Sequence, residues 1–227
     1  SMHRTTRLHA IGFGSLNLDE FWEVDGHFLR GLGLKVGEEY VRDVRWFERV
    51  YPLLPGQGVP KAMDPGGSAA NMIAAMRRMG FDTGFFGSVG RSDSDALRLD
   101  ELGAEHNLRI VASPQPSGRC LALIDRDDPG KDRALVILPN ANDLAGCDGL
   151  DRSFFEQALW VLFTSVVSLE PRRAQMKVAE GLPADIRVSF DPGAIYCALG
   201  RDALEPILRR ADVVFTTPEE LAALSGR

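Results

Sequence analysis

One pattern recurs along the chain and limits what it can become. A run of apolar residues ends abruptly in Gly, Ser, Thr, Asp or Pro. It appears in LHAIGFGSLNLD (Leu8–Asp19), GFDTGFFGSVG, WVLFTSVV, IRVSFDPG and DVVFTTPEE. Between these runs lie helical patterns at Ala69–Met79 and near Ser94–His106, Arg172–Glu180 and Asp202–Arg210. Near-continuous apolar strands alternating with short helices predict a parallel sheet covered on both faces. The polar residues gather at the strand C-termini, the edge where open α/β sheets bind ligands.

Two segments break the alternation. Residues Gly26–Met63 are long and mixed. Residues Leu108–Leu138 read as three short strands, LRIVAS, RCLALID and RALVIL, the last two flanking the turn signal RDDPGKD. Both are expected in a small separate sheet that covers a site as a lid.

The stretch DPGGSAANMIAAMRRMG (Asp64–Gly80) raises the question of chemistry. Ala69, Met72, Ile73, Met76 and Met79 share one helical face. Ser68 is expected to be the N-cap and Gly80 the C-terminal stop. Ordinary helix packing accounts for that much but leaves Gly66-Gly67 unexplained. Glycines there let a ligand approach the backbone, and Asn71 offers an amide that both donates and accepts, which suits a hydroxyl. In GSLNLD, Asn17 and Asp19 are two apart in an extended segment, so their side chains point the same way. A carboxylate beside an amide can grip vicinal hydroxyls, although local turn capping would explain the pair equally well. A dinucleotide-binding reading of IGFGSLN fails, because Asn17 stands where a third glycine belongs and no helix pattern follows.

Composition excludes several classes. A net charge of −6 without a basic run argues against non-specific nucleic-acid binding. No apolar stretch approaches the roughly 20 residues needed to cross a bilayer, and the N-terminus lacks an apolar signal core. Cys120, Cys147 and Cys197 are odd in number and far apart, as buried thiols of a reducing cytoplasm are. The histidines show no metal-ligand spacing. The chain is therefore expected to be cytoplasmic, with no membrane or nucleic-acid partner.

The order of GSLNLD, GGSAANMIAAMRRMG, FFGSVG, PSGRCLALID, NAND, FDPG and TTPEELAALSG resembles the ribokinase-like (PfkB) family of sugar and nucleoside kinases, over about Leu8 to Gly226. The resemblance implies one three-layer α/β/α domain with a mostly parallel central sheet and a small antiparallel β lid, the lid drawn from about 26–63 and 108–138. The long first lid segment and the GGS spelling look more like the adenosine-kinase branch. The resemblance also implies that ATP and Mg2+ are used, and that the γ-phosphoryl group goes to a hydroxyl of a sugar or nucleoside. It assigns substrate binding to Asn17, Asp19, Gly66, Gly67, Ser68, Asn71 and Asn142, and nucleotide and Mg2+ binding, through water, to Glu220. Thr217 stands where the family commonly has asparagine. The family's Gly-Ala-Gly-Asp segment, which supplies the catalytic base and an anion hole, has no counterpart here and is expected beyond Arg227. A monomer or a lid-mediated homodimer is expected. A binding-only member of the same fold, and a purely structural α/β domain, are the alternatives.

Overall fold

The computed structural model describes residues 7–146 and 150–226. His3 and Cys147 lie outside them. In chain order the elements are β1 (Leu8–Phe13), β2 (Asn17–Val24), α1 (Gly26–Gly31), β3 (Glu39–Val41), α2 (Val44–Val50), α3 (Leu54–Gln57), β4 (Gly58–Gly66), α4 (Ser68–Arg78) and β5 (Thr83–Gly90). They continue with β6 (Leu108–Ser113), β7 (Gly118–Asp125), β8 (Arg133–Leu138), β9 (Ala158–Thr164), α5 (Leu169–Gly181), β10 (Arg187–Asp191), α6 (Gly193–Cys197), α7 (Glu205–Arg210), β11 (Val213–Val214) and α8 (Pro218–Ser225).

Six strands form the large sheet in the order β11-β10-β9-β1-β5-β6, every pair parallel. Alternate residues of one strand go to opposite faces, and both faces are apolar. Ile11, Phe13, Phe86, Val161, Phe163 and Phe190 pack with Ala174 and Val178 of α5. Ala10, Phe85 and Leu162 pack with Ala69 and Ile73 of α4 on the other side. That two-sided burial is why these strands read as unbroken apolar runs. Helices on both faces complete the expected three layers.

The small sheet runs β3-β8-β7-β2-β4. One face carries Trp22, Val24, Leu121, Leu123 and Val136 under α1, α2 and α3. The other face carries Asn17, Asp19 and Phe21, and Phe21 is 38% exposed.

Four expectations are corrected here. LRIVAS is not a lid strand: as β6 it pairs with β5 at the rim of the large sheet, Phe85 opposite Leu108. The small sheet is mixed rather than antiparallel, because β2 pairs with β7, and β3 with β8, in parallel. The helix expected near Ser94–His106 is a set of short 3-10 turns, Ser94–Leu97, Leu99–Glu101 and Glu105–Asn107, interrupted where Arg98 turns left-handed at φ +47°. Ser68 is the first residue of α4, not its cap; Gly67 holds the cap position with no side-chain bond.

A buried ion network joins the two sheets. Arg119 of β7 is 6% exposed. Its Nε donates to Glu20 Oε1 of β2 at 3.0 Å, and its Nη2 to Asp93 Oδ2, just past β5, at 2.8 Å. Its Nη1 donates to the Ser117 carbonyl at 2.9 Å. Trp22 Nε1 and the Tyr51 hydroxyl both donate to Glu20, at 3.0 and 2.9 Å. Burial, and then the Glu20 charge, push the Tyr51 hydroxyl up to about 12, so it remains a donor at neutral pH. The Ser117 hydroxyl donates to Asp93 and accepts from the Gly90 amide at 2.7 Å.

Candidate active site at the junction of the sheets

The chain leaves the large sheet after Phe13 and enters the small one at Asn17, so the GSLNLD segment is the passage between them. Asn17 and Asp19 therefore open β2 rather than end β1. Asn17 lies opposite Gly66 of β4, and Asp19 opposite Asp64. The Gly66-Gly67 pair returns the chain to the large-sheet layer at the start of α4. Asn17, Asp19, Gly66, Gly67, Ser68 and Asn71 are thus brought to one place.

Both glycines are required by contact. A Cβ on Gly66 would lie 2.2 Å from Asp19 Oδ2, so glycine leaves room for the carboxylate. Gly67 has φ +105°, and a Cβ there would lie 2.1 Å from the Ser15 carbonyl oxygen, which belongs to the backbone and cannot swing away. Gly67→Ala is expected to lose at least about 2 kcal/mol of stability from backbone strain and overpacking together. Urea unfolding of the variant measures this, and an unchanged midpoint would mean that the cap relaxes freely.

Asp19 is half-buried. Among the described residues no group donates a hydrogen bond to its carboxylate. Its pKa is raised above 3.8, first by burial and then by the Asp64 charge. Both oxygens are available as acceptors, and any donor arriving there relieves the burden of burial. Asn71 is exposed at the first turn of α4, its backbone N–H donating to the Gly67 carbonyl at 2.8 Å and its side chain open. On the far side of Asp19, Cys120 of β7 shares its register. Burial and the Asp19 charge push the Cys120 thiol up to about 12, so it stays neutral and walls the site without adding charge.

Asn142 sits one step behind. Its Oδ1 accepts from the Leu16 amide at 2.9 Å, and its Nδ2 donates to the Leu16 carbonyl and to Asn17 Oδ1, both at 3.0 Å. It is 4% exposed. These bonds engage its amide on protein and orient Asn17.

Glu220 stands apart, along the same C-terminal edge. It closes a capping box on α8: Glu220 Oε2 accepts from the Thr217 amide at 3.0 Å, and the Thr217 hydroxyl accepts from the Glu220 amide at 3.2 Å. Asp191, at the end of β10, has a pKa raised by burial and, to a lesser extent, by Glu220. In the sheet order β11 is three strands from β1, roughly 14 Å at the usual strand spacing. The edge therefore presents a corner with the Asn17 and Asn71 amides and the Asp19 carboxylate near β1, and a carboxylate pair near β10 and α8.

Asp64, Cys120 and Arg119 were not among the site residues expected from the sequence. Asp64 and Cys120 enter only through β-pairing with Asp19, which no local spacing reveals.

The sequence profile of the pfkB family carbohydrate kinases matches residues 57–227. The ATP-dependent ribose-1-phosphate kinase of Halopiger xanaduensis is 34% identical over 165 residues, covering 70% of this chain and 52% of that protein. A fructokinase of Klebsiella pneumoniae is 30% identical over 193 residues, covering 79% and 61%. The chain thus spans about half to three-fifths of the length of these relatives. Among solved structures, the adenosine kinase of Sinorhizobium meliloti superposes with a TM-score of 0.71 at 17% identity, over 97% of this chain and 68% of that one. The Arabidopsis thaliana ribokinase complexed with ribose and ATP gives 0.64 at 20% identity, over 97% and 63%. These likenesses show the ribokinase-like fold.

Proposed function

The chain belongs to the pfkB family of carbohydrate kinases, and from that premise we propose that it binds a sugar or nucleoside whose hydroxyl receives the γ-phosphoryl group of ATP. The observation that carries this reading is Asp19, a half-buried carboxylate without a donor among the described residues, facing a passage that glycines keep open. Asp19 and Asn17 accept hydrogen bonds from neighbouring hydroxyls, and Asn71 contributes from the start of α4. Asn142 holds Asn17 in place. Gly66 and Gly67 admit the sugar against the backbone, and Ser68 borders the entry.

ATP approaches along the C-terminal edge, where α8 begins. The donor set there fits Mg2+ held largely through water: Glu220 retains Oε1 outside the capping box, and Asp191 is the second carboxylate of the corner. When bound, the ion neutralises charge on the phosphates. This chain's own part in the transfer is positioning. It aligns the hydroxyl and excludes water beneath the small sheet. No base is assigned within these residues.

Among the described residues no helix is long and apolar enough to cross a membrane, and the proposed location is the cytoplasm. The open face of the small sheet exposes Phe21 and Val41, which supports a lid-mediated homodimer over a monomer.

The test is release of ADP from ATP in the presence of Mg2+. The panel is ribose, ribose 1-phosphate, fructose and adenosine, with ligand-induced thermal stabilisation of the 227-residue chain run in parallel. Turnover with one panel member, and stabilisation of the chain by the same compound, is the expected result. No stabilisation by any of them would overturn the reading.

A further inference from the structure

A pocket of about 210 Å³ opens directly beside the hydroxyl-binding corner. Gly66, Asn71, Arg78 of α4 and Arg98 line it, and Glu101, also in its wall, pairs with both arginines. We propose that this pocket is an anion subsite that takes the phosphate of a sugar phosphate. The inference rests on the hydroxyl-binding reading above and narrows its substrate class, from sugars and nucleosides at large to phosphorylated sugars.

The two guanidinium groups are held only in long ion pairs. Arg98 lies 3.5 Å from Glu101 and 3.7 Å from Asp64, and Arg78 lies 3.7 Å from Glu101. None of these contacts is a hydrogen bond, and among the described residues neither guanidinium donates one. Long, exposed pairs of this kind hold a side chain loosely. The N–H forks stay available, and a planar fork matches phosphate oxygens two at a time. Two cations and one carboxylate line the pocket. Leu16, Leu97 and Ala70 supply apolar surface that strengthens a charge-assisted bond.

The backbone points the same way. Arg98 has φ +47° and ψ +55°, the left-handed region that glycine enters freely and arginine does not. The strained residue sits at the join of two short turns and brings its side chain to the pocket rim. A glycine would serve the turn better; an arginine serves an anion.

Position connects the two subsites. Arg98 reaches Asp64, and Asp64 is the cross-strand neighbour of Asp19. Gly66 touches both the Asp19 carboxylate and the pocket. A ligand that fills both must carry hydroxyls and an anion within the span of one sugar. A free sugar leaves the arginines unmatched, and a nucleoside places a neutral base against them.

Titration calorimetry on the 227-residue chain tests this with ribose, ribose 1-phosphate, adenosine and inorganic phosphate. Ribose 1-phosphate is expected to bind at least about tenfold more tightly than ribose, and added salt should erode that advantage. Arg98→Gly should remove most of the advantage and leave ribose affinity within about twofold. Its thermal midpoint should not fall, because glycine relieves the left-handed strain. Arg78→Gln should act in the same direction. Equal affinity for ribose and ribose 1-phosphate in the unaltered chain, or a full advantage retained in both variants, overturns the anion subsite and leaves the hydroxyl reading intact. An Asp19→Asn chain that binds every ligand unchanged, while Arg98→Gly still loses the phosphate advantage, overturns the hydroxyl reading instead. Binding of no panel member overturns both.

Discussion

Arg119→Met is expected to destabilise the protein by about 3–5 kcal/mol, the cost of breaking a buried ion pair from one side. The substitution leaves Glu20, 2% exposed, with only the Tyr51 and Trp22 donors, and it strips Asp93 of its charge partner. The Arg119 guanidinium carbon also lies 5.4 and 5.7 Å from the Phe47 and Tyr51 ring centres, so methionine, which keeps only an apolar stem, gives up those cation–π contacts along with the charge and the hydrogen bonds. Arg119→Lys should recover little, because one ammonium cannot reproduce a fork that serves Glu20, Asp93 and the Ser117 carbonyl at once. Urea unfolding of the two variants checks this. Removing Glu20 as well, as Glu20→Met in the Arg119→Met background, should regain part of the loss, since a paired apolar replacement leaves fewer charges stranded. A single-variant cost below about 1 kcal/mol would mean that water already reaches the network and that it does not tie the sheets together.

Asp19→Asn should abolish most ligand affinity while the fold survives. Losing a charge-assisted acceptor at a partly buried site costs about 2–5 kcal/mol of binding, roughly 30-fold to several thousand-fold. The variant itself should be no less stable at neutral pH. Burial first, and then Asp64, raise the Asp19 pKa, so its negative charge opposes folding above that pKa. Because the folded value lies above 3.8, the native state binds this proton more tightly than the unfolded chain does. The Asp19 contribution to stability therefore improves as pH falls through the raised value toward 3.8. Affinity runs the opposite way. Protonation removes an acceptor, so binding should weaken on acidification from a higher pH than an ordinary aspartate would set. Calorimetry with the best ligand across that range, on the unaltered and Asp19→Asn chains, measures both effects. An unchanged affinity in Asp19→Asn would place the hydroxyl site elsewhere.

The residues around GGSAAN were legible because their demands are local. A left-handed Gly67 and a close-approach Gly66 announce themselves as glycines, and an amide in the first turn of α4 follows from helix spacing. The role of Asn142 was not legible. Its partners are Leu16 and Asn17, more than a hundred residues earlier, and only the fold shows its amide bound to them. The family resemblance implies nucleotide and Mg2+ binding by Glu220, yet Thr217-x-x-Glu220 is also a capping box, and in the folded chain it forms one.

By itself the sequence determined the inner strands of the large sheet. Strands buried on both faces must be apolar at nearly every position, so β1, β5, β9 and β10 stand out without any knowledge of their neighbours. It did not determine the passage between layers. β2 reads NLDEFWEV because one face meets an apolar core, the other carries Asn17 and Asp19 of the candidate site, and Glu20 on the core side is held by Arg119. Such a strand has no pattern that separates it from a polar turn. Nor could the sequence place LRIVAS, since a short β-branched run suits either sheet and only the available edge beside β5 decides. The site rests on those pairings. Asp64 and Cys120 come beside Asp19, and Arg98 comes to Asp64, through backbone hydrogen bonds and packing between segments far apart in the chain. Partners of that kind are chosen by tertiary structure, because no residue can specify at a distance which strand will lie next to its own.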